Sequence, residues 1–453
     1  MTIDRRAFVA GLVTAATPSF ACAAVTRAAA PMSAFGIDAA TLGVRAGSPD
    51  DQTDVLQRAI DQAAAARAPL ALAPGVYRAG DLALPAGAQI TGIRGATRLV
   101  SSRGRPLFVA AQADQVTLAG LVLDGVRARL PPRLGLVSLM NGRGVKISDC
   151  AIMAAGGHGI YLEGIAGEIS GTTISGAADV AMLSYDAKGL TIARNLVRDA
   201  GNNGIQILRE VAGEDGTMVL DNRIENIRND SGGSGQFGNA VNAHRAGHVI
   251  VRGNRIRDCA FSAVRGNSAS YIEITGNSCS ELGEVALYSE FSFEGAIIAN
   301  NTVDGAEVGV SVANFNEGGR IAVVQGNIFR NLSPRHGKDE PDSAHGIGIY
   351  VEADTAVSGN VIENASFAGM IAGWGRYLRD VTITGNVVRG ADIGVGVSVV
   401  PGAGGAVIAN NVISGSRRGA ILGMDHIAVV TEELAKDGAA RYAQLAISGN
   451  RVN

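Results

Sequence analysis

The 453-residue chain predicts an all-β solenoid, a single-stranded parallel β-helix of about 13 coils with a capping helix at its amino end. Three observations predict it. The first is a phrase that ends on Asn ten times, at Asn195, Asn222, Asn254, Asn277, Asn301, Asn327, Asn360, Asn386, Asn411 and Asn450, with gaps of 23 to 39 residues. Gly precedes six of these, as in Ile274-Thr275-Gly276-Asn277. The second is a strand that opens on Gly or Ala and alternates apolar residues, as in Gly204-Ile205-Gln206-Ile207 and Gly346-Ile347-Gly348-Ile349. Period-two alternation marks half-buried strands. The third is the absence of any helical period between these phrases. Each coil therefore holds three short strands: the Gly strand, one before Asn and one after it.

Residues 1–30 come first. Asp4-Arg5-Arg6-Ala7-Phe8 leads into a modestly apolar stretch and then small residues around Ala21-Cys22-Ala23 and Ala28-Ala29-Ala30. This resembles a twin-arginine export signal, which implies the twin-arginine machinery as a partner and a periplasmic or secreted protein. A lipoprotein signal would want an aliphatic residue three places before Cys22, and Ser19 stands there. No other segment is long and apolar enough to span a membrane.

Residues 36–110 form a separate opening. Thr53 or Asp51 can cap a helix that runs to about Ala66, with Val55, Leu56, Ala59, Ile60 and Ala63 on one face. Short strands follow at Leu70–Tyr77 and around Ile90, broken by Pro-Gly and Gly turns. Such a helix would cover the open end of a solenoid.

The repeats occupy 111–453. Leu121, Cys150 and Thr172 fit the Asn register without Asn. Asn is expected at the bend because it tolerates left-handed backbone. Its amides are also expected to stack in a ladder. At a strand spacing of about 4.8 Å the rod should be roughly 60 Å long. Residues 426–445 interrupt the last coil, and Val429–Ala435 reads as a short helix.

The composition suits this architecture. Gly is abundant (61 residues), aromatics make up 4%, and a formal net charge of −3 gives no electrostatic case for nucleic acid. Outside the leader stand Cys150, Cys259 and Cys279, an odd number without CxxC spacing, best read as buried inert thiols.

Asp50-Asp51-Gln52-Thr53, the helix to Ala66 and Leu70–Tyr77 resemble the opening of the pectate-lyase-like right-handed β-helix superfamily. The twin-Arg start with Asn-turn coils resembles a family of twin-arginine-translocated repeat proteins of uncharacterised activity. The superfamily resemblance implies a right-handed helix, export and frequent polysaccharide chemistry. It does not select among lyases, hydrolases, epimerases and non-catalytic adhesive or tail proteins.

Long turns flank the Gly strand: 228–238 and 333–344 on its upstream side, 209–217, 314–320 and 373–380 on its downstream side. Two walls along one sheet make a groove, and loops on a rigid scaffold are where binding concentrates. Alternation turns Tyr161, Glu163, Gln206, Asn242, His244, Arg265, Asn267, Tyr288, Glu290, Ser311, Tyr350 and Glu352 outward. His244, Arg265, Tyr288 and Glu290 are the catalytic candidates: a base, a carboxylate-neutralising Arg and proton donors, the set that lyase or epimerase chemistry on a uronic acid requires. Tyr161, Glu163, Gln206, Asn242, Asn267, Tyr350 and Trp374 are the polysaccharide-binding candidates. The plain alternative is that any solenoid exposes polar residues for solubility, so a non-enzymatic envelope or surface protein that binds glycan or protein is the rival reading. A trimeric tail-spike-like adhesin is a third.

Other motifs are weaker. Gly157-His158-Gly159 resembles a hydrolase tripeptide but lacks the paired Asp upstream, which leaves His158 as a turn residue. Asp179, Asp186 and Lys188 could serve calcium or lyase chemistry. No cofactor or metal motif is present, although calcium use stays open. Asp339, Glu340 and Asp342 read as a solvated acidic loop.

Overall fold

A computed structural model describes residues 36–102, 104–335, 345–436 and 438–453. The expected export signal and the expected acidic loop at Asp339, Glu340 and Asp342 lie outside the described residues. The chain winds into a parallel β-helix of about 14 turns, one more than the repeat count suggests, with one α-helix among the described residues.

Each coil adds one strand to each of three sheets, and strands pair in parallel with the same position one coil on. The Gly strands form the first sheet: Ile205 pairs with Val241, Val241 with Val264, Val264 with Leu287, Leu287 with Val310 and Val310 with Ile349. These side chains point inward and are buried. The second sheet adds the file Val219, Val251, Ile274, Ile298 and Val324, and the third adds Ile224, Ile256, Cys279, Val303 and Phe329. A column of branched aliphatics fills a narrow core with few rings. Each fully buried side chain contributes about 1.5–3 kcal/mol.

The Asn residues stack in single file. The Asn301 backbone N–H donates to Asn327 Oδ1 at 2.9 Å, and its Nδ2 donates to the same oxygen at 3.0 Å and to the Ile274 carbonyl one coil back at 2.9 Å. The pattern repeats from Asn195 to Asn450. Thr172 and Cys150 extend the file toward the amino end, where Thr172 N–H donates to Asn195 Oδ1 and Cys150 N–H to Thr172 Oγ1.

The left-handed residue at this corner is the one before Asn, not Asn itself. Gly253, Gly276 and Gly385 have φ of 70°, 64° and 67°, and Arg194, Asp221 and Asn300 take φ of 55°, 54° and 58° in the same place. The bend thus falls one residue earlier than expected. This frees the Asn backbone N–H to point along the stack, and it explains why Gly recurs there.

The opening helix spans Thr53–Ala65 and buries Leu56, Ala59, Ile60 and Ala63, with Val55 half-buried. Asp51 accepts the Thr53 N–H at 2.8 Å. At the other end the expected helix over Val429–Ala435 is a strand. Ala428–Glu433 pairs antiparallel with Gly419–Asp425, the last strand of the first sheet. The β-branched run Val429-Val430-Thr431 favours extended backbone. Glu433 fixes the pairing by accepting the N–H groups of Ala420 and Ile421 at 2.6 and 2.9 Å.

Cys150, Cys259 and Cys279 are free and buried. Burial pushes the Cys150 thiol up to about 11 and the Cys279 thiol up to about 12. Thiols held protonated in this way are poor nucleophiles.

Candidate functional site

Two files of side chains run along the outer face of the first sheet. One aligns Tyr161, Leu183, Gln206, Asn242, Arg265, Tyr288, Ser311 and Tyr350, coil upon coil. The other carries Glu163, Tyr185, Leu208, His244, Asn267 and Glu290. Four of the expected residues form one hydrogen-bonded chain. His244 Nδ1 lies 3.2 Å from Asn267 Oδ1, Asn267 Nδ2 donates to Glu290 Oε1 at 3.0 Å, and Glu290 takes a bidentate pair from Arg265 at 2.6 and 3.0 Å. The Arg265 guanidinium also lies 5.1 Å from the Tyr288 ring centroid.

Arg265 is already paired with carboxylates of the protein. Besides Glu290 it reaches Glu284 at 3.4 Å, and its side chain is buried. Burial works against its charge, but Glu290 and Glu284 more than restore it, so its pKa is raised. An Arg held by two carboxylates has no charge left to neutralise a substrate carboxylate. The upstream turn seals it in: a Cβ on Gly235 (φ 127°) would lie 1.5 Å from Arg265 Nη1. Gly235, in the run Gly232-Gly233-Ser234-Gly235, is the signal in the sequence for this close approach.

His244 is half-buried, and burial followed by the Arg245 charge lowers its pKa below 6.5. Its Nδ1 is held by Asn267, which leaves Nε2 uncommitted among the described residues. Burial, and then Glu290, pushes the Tyr288 hydroxyl pKa up, so it stays protonated. Asn242 donates to the Gln236 carbonyl at 2.9 Å and thereby anchors the upstream wall. A cavity of about 370 Å³ lies here, lined by Gln206, Asn242, His244, Arg265 and Asn267 with Phe291 at its edge.

Farther along the same face the floor turns apolar. The opening residues Val285, Val308 and Ile347 pack outside the main core, beneath Tyr288 and Tyr350. Trp374 is not on a strand. It stands in the downstream turn, edge-on to Tyr350 at 6.2 Å, and its backbone pairs with Tyr377. Glu352 accepts the Tyr350 hydroxyl at 2.5 Å and the Phe315 N–H at 2.6 Å, and burial raises its pKa. Together these line a trough of about 480 Å³. Strand alternation predicts neither the apolar floor nor Tyr377, because it says nothing about residues at the strand's opening or in turns.

Tyr161 and Glu163 lie apart from this cluster, four coils from Arg265 or about 19 Å. They bond to each other at 2.6 Å, and burial, then Glu163, pushes the Tyr161 pKa up to about 12.

The family model described as "right handed beta helix region" matches residues 210–388. The fold is a right-handed parallel β-helix. Among solved structures, this β-helix is similar to the A-module of the mannuronan C-5 epimerase AlgE6 from Azotobacter vinelandii, at 15% identity over 85% of this chain and 99% of that one, with a TM-score of 0.53. It is also similar to the N-terminal fragment of gene product 12 of bacteriophage phi29, at 15% identity over 86% of this chain and 69% of that one, with a TM-score of 0.52. Identity this low speaks to the fold alone. No curated protein sequence matches the β-helix.

The weaker motifs separate in space. His158 opens a strand of the β-helix rather than sitting in a turn, and its buried ring lies 3.6 Å from Asp179. Asp179 and Asp186 lie at opposite ends of the strand Met182–Tyr185, so they do not form one site with Lys188. Asp186 instead accepts the Glu210 N–H at 3.2 Å beside Lys188. Among the described residues no group of three or more His, Cys, Asp or Glu side chains is placed to hold a metal ion. No helix among them is long and apolar enough to cross a membrane.

Proposed function

We propose that the outer face of the first sheet is a polysaccharide-binding groove of an exported protein. One observation carries this reading. Two cavities follow each other along a rigid strand ladder, meeting where Arg265 lies over Tyr288, and their lining passes from polar groups to aromatic rings. A chain of repeating units presents the same alternation of hydroxyls and apolar faces, and such linings suit ligands of mixed character. The expected result is retention of the full chain by one class of polysaccharide on a panel of immobilised glycans. A panel with no retained member refutes the reading.

His244 favours a second reading, acid–base chemistry of lyase or epimerase type. A neutral imidazole with one nitrogen pinned and the other open is arranged as a base. The tied Arg265 argues against it. Absorbance of unsaturated products, together with reducing ends, decides: product that vanishes in His244→Gln supports catalysis, and retention without product supports binding alone.

Export rests on the amino-terminal Arg5-Arg6 pattern. Replacing both with Lys should hold the precursor in the cytoplasm, read by cell fractionation. Unchanged export would refute this route.

A further inference from the structure

We propose that the aromatic trough takes an uncharged polysaccharide, and that Trp374 is its principal contact. This rests on the polysaccharide reading above and narrows it to a chemical class and a place.

Charge carries the argument first. Among the described residues no cation lines the trough. Arg265, the guanidinium on the neighbouring floor, is held by Glu290 and Glu284. Arg379 beside the downstream wall is engaged by Asp354 at 2.5 and 2.8 Å, and Arg376 sits at the exposed rim over Tyr377. Glu352 lines the trough and is buried. A polyuronate would place a carboxylate on each sugar against that floor with no partner. Like charges at low local dielectric repel strongly, and such a juxtaposition discriminates against the wrong ligand.

Shape and polarity supply the rest. The negative face of an aromatic ring favours the slightly positive C–H groups on one face of a sugar. Trp374 is half-buried and packs at near right angles against both Tyr350 and, at 5.0 Å, His426, so its position is fixed. Each Glu352 oxygen already accepts one hydrogen bond. An ionised carboxylate offers about four lone-pair sites, so capacity remains for sugar hydroxyls. Ser311, Asn314 and Asn316 add neutral polar groups at the same place. A site that recognises donors through a carboxylate and stacks apolar faces on rings needs no charge on its ligand.

The test is affinity electrophoresis of the full chain in gels containing a neutral β-glucan, a neutral xylan, polygalacturonate or alginate, at low and high salt. Wild type should be retarded by a neutral polymer and pass through both polyuronates. Trp374→Ala should weaken the retardation at least tenfold, and Trp374→Phe should restore most of it. An unchanged melting temperature and circular dichroism spectrum for both variants would show that folding is intact. Retardation by polyuronates alone overturns the inference and leaves the polysaccharide reading standing. Retardation by a neutral polymer that Trp374→Ala does not weaken overturns the place assigned to it. No retardation by any polymer overturns both the inference and the reading beneath it.

Discussion

The Asn corner and the groove face share one geometry, a parallel step of about 4.8 Å from coil to coil, and use it in opposite ways. At the corner the same residue returns on ten successive coils, and each amide satisfies its neighbours above and below. On the groove face the residue changes with each coil, from Asn242 to Arg265 to Tyr288 to Ser311. Repetition makes a column whose hydrogen bonds close on themselves. Variation along an equally rigid column makes a surface with distinct positions. The groove is not uniformly free to vary, however: Arg265, Glu290 and Asn267 are knitted together as tightly as the corner is.

Breaking that exception should have the largest effect. Arg265→Met strands the buried Glu290 carboxylate and should cost about 3–5 kcal/mol, because removing one partner of a buried ion pair leaves an uncompensated charge. Converting Glu290 as well, to Leu, should recover most of that loss. Urea unfolding of both variants measures it, and a mild single-site effect would mean that the pair is solvated.

The corner comes next. Asn301→Ala removes the acceptor of the Asn277 N–H and Nδ2 and the donor to Asn327. Each buried group left unpaired costs about 1–3 kcal/mol, so about 2–4 kcal/mol is expected from the unfolding midpoint.

His244 should matter least to stability at neutral pH, by less than about 0.5 kcal/mol. Its signature is pH dependence. Its pKa is lowered on folding, so the stability it contributes is complete above the ordinary value of 6.5 and is lost as pH falls through the depressed value. Its ring protons should titrate below 6.5 by NMR. The stability difference between wild type and His244→Gln should shift between pH 7 and pH 5, and a titration at or above 6.5 would contradict the burial argument.

The corner was legible in the sequence because it is written ten times. Even there the reading placed the left-handed residue on Asn, although the six Gly residues just before it marked the true position. The outward residues of the groove strand followed from alternation, because a strand's sidedness is local. The step of about 4.8 Å between coils also groups His244, Arg265, Tyr288 and Glu290 in one patch. The ion pairing within it does not follow, because alternation gives a side chain's face and not its bonds: Arg265 turns to Glu290 and Glu284. Trp374 and Tyr377 reach the trough from turns, whose paths no periodicity describes. The expectation of a helix over Val429–Ala435 fails because that segment stands outside the repeat, whose period marks the strands elsewhere.

That closing strand has a consequence for assembly. A ladder of parallel rungs has no intrinsic reason to stop, and an exposed terminal rung is a template on which another chain could continue it, as in a fibril. Here the last rung of the groove sheet meets a strand running the other way, and the first coils meet a helix. Both arrangements present backbone of the wrong direction or the wrong period to an incoming rod, so continuation is blocked along the groove sheet, whereas among the described residues Leu445–Ser448 and Arg451–Val452 in the other two sheets are paired on one side only.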